Sequence, residues 1–255
     1  MGTIFAEFDS SLVASALGLA MFAAWAFGRW HGQRLRVGTG DVPVSKFEDA
    51  SLALLGLLLG FTFSMAIAKH DQRRLMVVAD SNAIGDFYTC ASLLKEPLRT
   101  KLQTVIREYT KLRSELTGRR IDEATVESAL GQMRLMQDQM TSLVYQALED
   151  GTPIAVALTN TLNGVTSNHA SRLAAAKDRL PTTIVWLLMV SAVFSSVLVG
   201  RDQGASDKAD LAGTMCFIVL VSFAVYVTMD LNQPERGWIT VSQEPIERLL
   251  SSMAR

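Results

Sequence analysis

The residues best suited to chemistry stand in short polar clusters. Lys69-His-Asp-Gln-Arg-Arg74 packs a histidine, a carboxylate and three cations into six positions. Asp80, Asn82, Gly85, Asp86 and Tyr88 follow, and Asn160, Asn163, Asn168 and His169 form a second polar run further on. Carboxylate and amide oxygens suit a hard cation such as calcium. No acidic loop with calcium spacing accompanies them, and His70 beside Asp71 does not make a metal site. Amides and carboxylates are poor helix formers that find partners across helices. Asp80, Asn82, Asp86, Asn163 and Asn168 are therefore expected to form a hydrogen-bonded network that fixes how helices assemble. Asp230 and Arg236 join it as a pair across the turn set by Pro234 and Gly237.

The cluster at Lys69, Asp71, Arg73 and Arg74 has two readings. One is snorkelling at a membrane edge with an i, i+3 pair between Asp71 and Arg74. The other is a charged vestibule that concentrates permeant ions at a pore mouth. Catalysis has no candidate: the chain contains no G-x-x-x-x-G-K-[ST], G-x-S-x-G or H-E-x-x-H, and no Cys/His cluster. Catalytic residues, metal and cofactor are all expected to be none, and the chain is not expected to be an enzyme. Cys90 and Cys216 lie in settings too different for a disulfide and are read as small apolar fillers.

The elements that must position these clusters are set by hydropathy. The chain has 255 residues, a formal net charge of −1 and 49% hydrophobic residues. Near-neutral charge and a pI near 6.3 give no footprint for nucleic acid. The apolar residues gather into four blocks without Asp, Glu, Lys or Arg: Ser11–Gly28, Ala50–Ala68, Thr182–Gly200 and Leu211–Met229. Each is about 18–20 residues long, so a helix rising about 1.5 Å per residue crosses the roughly 30 Å hydrocarbon core. The first block follows Glu7 and Asp9 with no basic residue before it, which argues for a retained helix over a cleaved signal, capped by Ser10. The four blocks hold no Asp, Glu, Lys, Arg or His, which argues against ion-coupled active transport and leaves room for a pore lined by hydroxyl, backbone and apolar groups.

Between the blocks, Arg29–Asp49 carries Gly38, Gly40 and Pro43 and reads as an irregular loop, with Ser45 and Glu48 as a start signal for the second span. Gln72–Leu94 continues the second span without proline, so Ala50–Leu94 would be one rod of about 67 Å. Apolar residues at 3–4 residue steps place further helices from Pro97 to Gly118, over Ile121–Asp150, and from Pro153 towards the third span. Arg201–Asp210 is short and polar, so the third and fourth spans are expected to pack as an antiparallel hairpin. Ser242 and Pro245 open a short amphipathic helix bearing Ile246, Leu249, Leu250 and Met253. The fold class is an all-α membrane protein: four transmembrane helices, with a helical-bundle extramembrane domain inserted between the second and third spans. The expected divisions are 1–70, 71–180, 181–230 and a clasp over 231–255.

On the second span, residues two apart point about 200° away from each other. Phe61 falls with Leu54, Leu57, Leu58, Met65 and Ala68, whereas Phe63 falls with Gly56, Leu59, Gly60 and Ile67. The rings cannot share one face. Gly56 and Gly60 permit close helix approach. Copies of this helix around an axis would make a hydrophobic constriction that gates by dewetting. Ordinary packing side chains are the competing reading.

Several segments together resemble the bacterial bestrophin-like membrane family, a domain of unknown function with distant similarity to bestrophin channels. They are Leu55–Met65 (LGLLLGFTFSM), Asp71-Gln-Arg-Arg74, Ala79-Asp-Ser-Asn-Ala-Ile-Gly85, the Leu93–Leu98 and Arg107–Tyr109 landmarks, and Asp230–Pro245 (DLNQPERGWITVSQEP). The resemblance covers roughly residues 50–250. It implies four spans and a homo-oligomeric ion channel, a pentamer by analogy with bestrophins, embedded in the lipid bilayer and passing small ions. The second span would line the pore, with Gly56, Leu59, Gly60, Phe61, Phe63 and Ser64 as lining or gate candidates and Lys69, Asp71, Arg73 and Arg74 at the mouth. The opposing class is a non-conducting membrane scaffold or signalling protein whose helical domain binds a partner. The expected location is the bacterial inner membrane. Basic residues near the span ends divide seven to six between the two sides (Lys69, Arg73, Arg74, Arg172, Lys177, Arg179 and Arg236 against Arg29, Arg34, Arg36, Lys46, Arg201 and Lys208), which does not set orientation. A cytosolic helical domain and cytosolic termini are expected because the alternative translocates roughly 110 residues.

Overall fold

The computed structural model describes residues 9–39, 46–116, 123–206, 210–233 and 237–254. Among them are eight α-helices and no strand: α1 (Ser10–Thr39), α2 (Lys46–Ser92), α3 (Leu98–Glu115), α4 (Glu123–Glu149), α5 (Ala155–Lys177), α6 (Thr182–Ser206), α7 (Leu211–Leu231) and α8 (Glu244–Met253). Four stretches are long and apolar enough to cross a membrane, carried by α1, α2, α6 and α7. The all-α, four-span class is thus observed. The chain divides into two units, residues 1–68 with 179–239, and residues 69–178 with 240–255.

In the first unit, α1 is the central packing element. It lies along α6 and α7, which pack less along each other than each does on α1. The expected α6–α7 hairpin is therefore opened by α1. Glycines explain the choice: Gly28 and Gly32 of α1 meet Gly200 and Gly204 of α6 with no Cβ between them. A Cβ on Gly28 would stand 2.2 Å from the carbonyl oxygen of Val197, and one on Gly200 2.1 Å from that of Trp25. Two backbones this close exclude any side chain from the crossing. The matched positions rise together along both helices, so α1 and α6 run parallel. Leu17, Met21, Leu55, Ala66, Leu188, Ala192, Val221 and Val225 share the core of this unit.

Three local expectations are corrected. The loop expected at Arg29–Asp49 is helix as far as Thr39, because no proline precedes Pro43. The loop expected at Arg201–Asp210 is helical as far as Ser206, and the Asp210 side chain caps α7 by accepting from Gly213 N at 2.9 Å. Ser10 is no cap: it is the first helical residue, and its Oγ donates to Gln233 Oε1 at 3.3 Å. Ser45 lies outside the described residues.

The second unit packs the latter part of α2 with α3, α4, α5 and α8 around Ile84, Phe87, Leu102, Ile106, Tyr109, Met133, Met140 and Leu158. α2 reaches Ser92 as one helix, as its unbroken pattern predicts. α4 ends in a Schellman motif: Gly151 has φ 69°, Gly151 N donates to Leu148 O, and Thr152 N donates to Ala147 O. α8 is held by its apolar face, with Ile246 and Met253 buried, and by Ser81 Oγ donating to Pro245 O at 2.9 Å.

Candidate functional site

α2 carries most of the residues singled out from the sequence. Its buried positions Leu55, Thr62 and Ala66 recur at steps of seven and four, which draws one narrow stripe along the helix. Thr62 satisfies its hydroxyl within the helix, donating to Leu58 O and Leu59 O. Leu59 is partly buried against the core. Everything else on the candidate gate is open: Phe61 is 61% exposed and Phe63 38%, and Gly56, Gly60 and Ser64 are exposed as well. Nothing lies within 4 Å of a Cβ built on Gly56 or Gly60. The G-x-x-x-G of α2 is thus unoccupied among the described residues, while α1 and α6 use the same spacing to lock together. The second span is also the least covered of the four, at 17% buried against 28–39% for the others.

The charge cluster separates into committed and open groups. Arg73 is buried and donates from Nε to Ala175 O at 3.2 Å and from Nη2 to Asp178 O at 2.7 Å. These carbonyls belong to the last turn and the C-cap of α5, where a cation complements the helix dipole. Lys69 Nζ pairs with Asp178 Oδ2 at 2.6 Å. Asp71 and Arg74 are exposed.

The polar network forms around Asp80 with partners that the sequence reading did not name. Asp80 is fully buried, and its Oδ2 accepts from Arg113 Nε at 2.9 Å and Arg172 Nη1 at 2.8 Å. Its other oxygen, Oδ1, is buried without a hydrogen-bond partner. Arg113 Nη1 also lies 2.8 Å from His169 Nδ1, and Tyr109 Oη is 3.0 Å from the same nitrogen. Arg172 Nη2 donates to Gln243 Oε1 at 2.7 Å, at the start of α8. Burial lowers the pKa of His169 to about 4, with the Arg113 charge adding to it. Burial likewise pushes the Tyr109 hydroxyl up to about 12. Asn82, Asp86 and Asn163 are exposed, and Asn168 Nδ2 donates back to Gly164 O of its own helix. The cluster therefore joins α2, α3, α5 and α8 through one carboxylate and two guanidinium groups.

Asp230 stands apart from that cluster. Its two carboxylate oxygens accept from Trp238 N at 3.0 Å and Ile239 N at 2.9 Å, which folds the chain back after α7. Its expected partner Arg236 lies outside the described residues. A missed signal exists for the buried cations. Arg113 continues the stripe Leu102, Ile106, Tyr109, and Arg172 continues Leu158, Leu162, Val165, His169. A charge in register with an apolar stripe is placed to be buried.

No group of three or more His, Cys, Asp or Glu placed to hold a metal occurs among the described residues. No curated protein and no solved structure matches the chain. A family model, the Bestrophin-like domain, matches residues 14–246, nearly the whole sequence, and with it the chain belongs to the Bestrophin-like family.

Proposed function

We propose that this chain assembles with copies of itself into an ion channel, passing small ions along a passage lined by the second span. The observation that carries the reading is the open surface of α2 around its narrow buried stripe, where Gly56, Gly60, Phe61, Phe63 and Ser64 all lack intramolecular cover and one ring, Phe61 or Phe63, can face a shared axis. A membrane helix with small residues at i, i+4 and aromatic rings beside them is built for contact with further helices or for a narrow apolar throat. Family membership supports the same reading. In it, the chain sits in a bacterial inner membrane with the helical unit and both termini in the cytosol, Asp71 and Arg74 supply mobile charge at the mouth, and no reaction is catalysed.

The test is flux from purified full-length protein in liposomes under a salt gradient. Ion flux that rises when Phe63→Ala or Phe61→Ala widens the throat supports the channel. Absence of flux from the parent and both variants, with the protein inserted and folded, overturns it in favour of a non-conducting scaffold that binds a partner through its helical unit.

A further inference from the structure

We infer that α1 and α6 hold between them a binding site for one acyl chain of a bilayer lipid. The two parallel helices are locked at Gly28, Gly32, Gly200 and Gly204. On the N-terminal side of that crossing they line a groove of about 800 Å³, whose walls include Leu12, Ala16 and Ala20 on α1 and Trp186, Val190 and Phe194 on α6. Its eleven lining residues are all apolar.

The occupant follows from chemistry and size. A peptide segment without its own helix would leave its backbone groups unpaired there, and water would find no partner. From Trp186 to Val197 the groove extends eleven residues, or about 16 Å at 1.5 Å per residue, which is about half of the roughly 30 Å hydrocarbon core. That is the depth of a single leaflet. A second copy's helix is the other apolar occupant that a membrane offers, and the cross-linking arm of the test below separates the two. An acyl chain is thin, apolar and flexible enough to follow the groove to where the glycines close it. Because both helices start on the same side, the lipid belongs to the leaflet on that side. A chain seated there would hold the upper parts of α1 and α6 at a fixed separation while the glycine crossing holds the lower parts together.

The test uses full-length protein in detergent with Trp30→Phe and Trp238→Phe, so that the groove residue Trp186 reports and Trp25, which is buried, gives a constant background. The probe is phosphatidylcholine with brominated acyl chains. The expected result is quenching of Trp186 that saturates at one lipid per chain and is reversed by unbrominated phosphatidylcholine. Ala16→Phe and Val190→Phe, which fill the groove from opposite walls, abolish the saturable phase. Leu19→Phe, on the exposed outer side of α1, leaves it intact. Quenching of the unfilled protein that rises without saturating overturns the site, and that result needs no variant to fold. A saturable phase that persists in both filled variants overturns it too, as does cross-linking of Leu12→Cys to a second copy that occupies the groove.

Discussion

Arg113 Nη1 stands 2.8 Å from His169 Nδ1, and this contact fixes the state of the imidazole. A guanidinium is only a donor, so Nδ1 must accept, and the neutral ring carries its proton on Nε2. Protonating Nδ1 would set two cations against each other beside Arg172. The pKa of about 4 expresses this, with burial as the larger cause. The groups that face the ring are Arg113, Tyr109, Asp80 and Arg172.

The sign of the pH effect follows. The folded state holds His169 below its unfolded value of about 6.5, so the unfolded chain takes up the proton first. Stability attributable to His169 is complete above about pH 6.5 and falls as pH drops towards about 4. The fall should be visible between about pH 7 and 5, above the ordinary carboxylate range. Thermal unfolding across that interval should show a lower Tm at the acidic end, and His169→Gln should flatten the slope. An equal slope in the variant would remove His169 as its source.

Asp80 has a larger structural role than its single charge implies. The buried guanidinium of Arg113 and the partly buried one of Arg172 converge on its Oδ2, so Asp80→Ala leaves both without their carboxylate. Breaking a buried pair by deleting one partner costs about 3–5 kcal/mol. Denaturant unfolding should show a loss of that order for Asp80→Ala. Asn82→Ala and Asp86→Ala, at exposed positions on the same helix, should stay within about 0.5 kcal/mol of the parent.

Glycines of one spacing should divide into two classes. In Gly28→Ala or Gly200→Ala the added methyl meets backbone at about 2.2 Å or less, so the helices must part and packing energy of at least 1–3 kcal/mol is lost. Gly56→Ala and Gly60→Ala add a methyl to open space, and within the protomer they should be neutral or stabilising by about 0.5–1 kcal/mol. Size-exclusion chromatography adds a second readout. If Gly60→Ala leaves the protomer folded but dissociates the oligomer, the open face of α2 is covered by another copy. If assembly is unchanged, that face meets lipid.

These contrasts show what could be read from the sequence and what could not. Span number was legible because 18 or more residues without charge have one common explanation. The continuity of α2 past Arg74 was legible because nothing in Gln72–Leu94 stops a helix. Partner choice was not. Gly56 and Gly60 share the spacing of Gly28 and Gly32, and no local feature says that Gly28 meets a helix some 170 positions away, at Gly200. In the network, Asp80 was recognised as a polar residue in need of partners, but its exposed neighbours Asn82 and Asp86 had the same local credentials. The distinction lay in register: Arg73, Asp80, Arg113 and Arg172 each extend an apolar stripe of their own helix, whereas Asn82 and Asp86 point away from it.

Arg73 and Arg74 provide the sharpest test of the charge cluster, because adjacent cations have opposite surroundings. Arg73 closes the C-terminal turn of α5 through two carbonyl oxygens. Arg73→Gln keeps some polarity but cannot make both bonds with a full charge. Hydrogen bonds to charged groups are worth about 1.5–3 kcal/mol, so a stability loss in that range is expected. Arg74 is exposed, and Arg74→Gln should leave unfolding unchanged. If the cluster lies at a pore mouth, Arg74→Gln should instead alter flux, most strongly at low ionic strength, where the Debye length reaches about 30 Å at 0.01 M. The effect should fade at 1 M salt, where that length is about 3 Å. Equal flux in Arg74→Gln and the parent at 0.01 M salt would remove Arg74 from the ion path and leave Lys69–Arg74 as an anchor for α5.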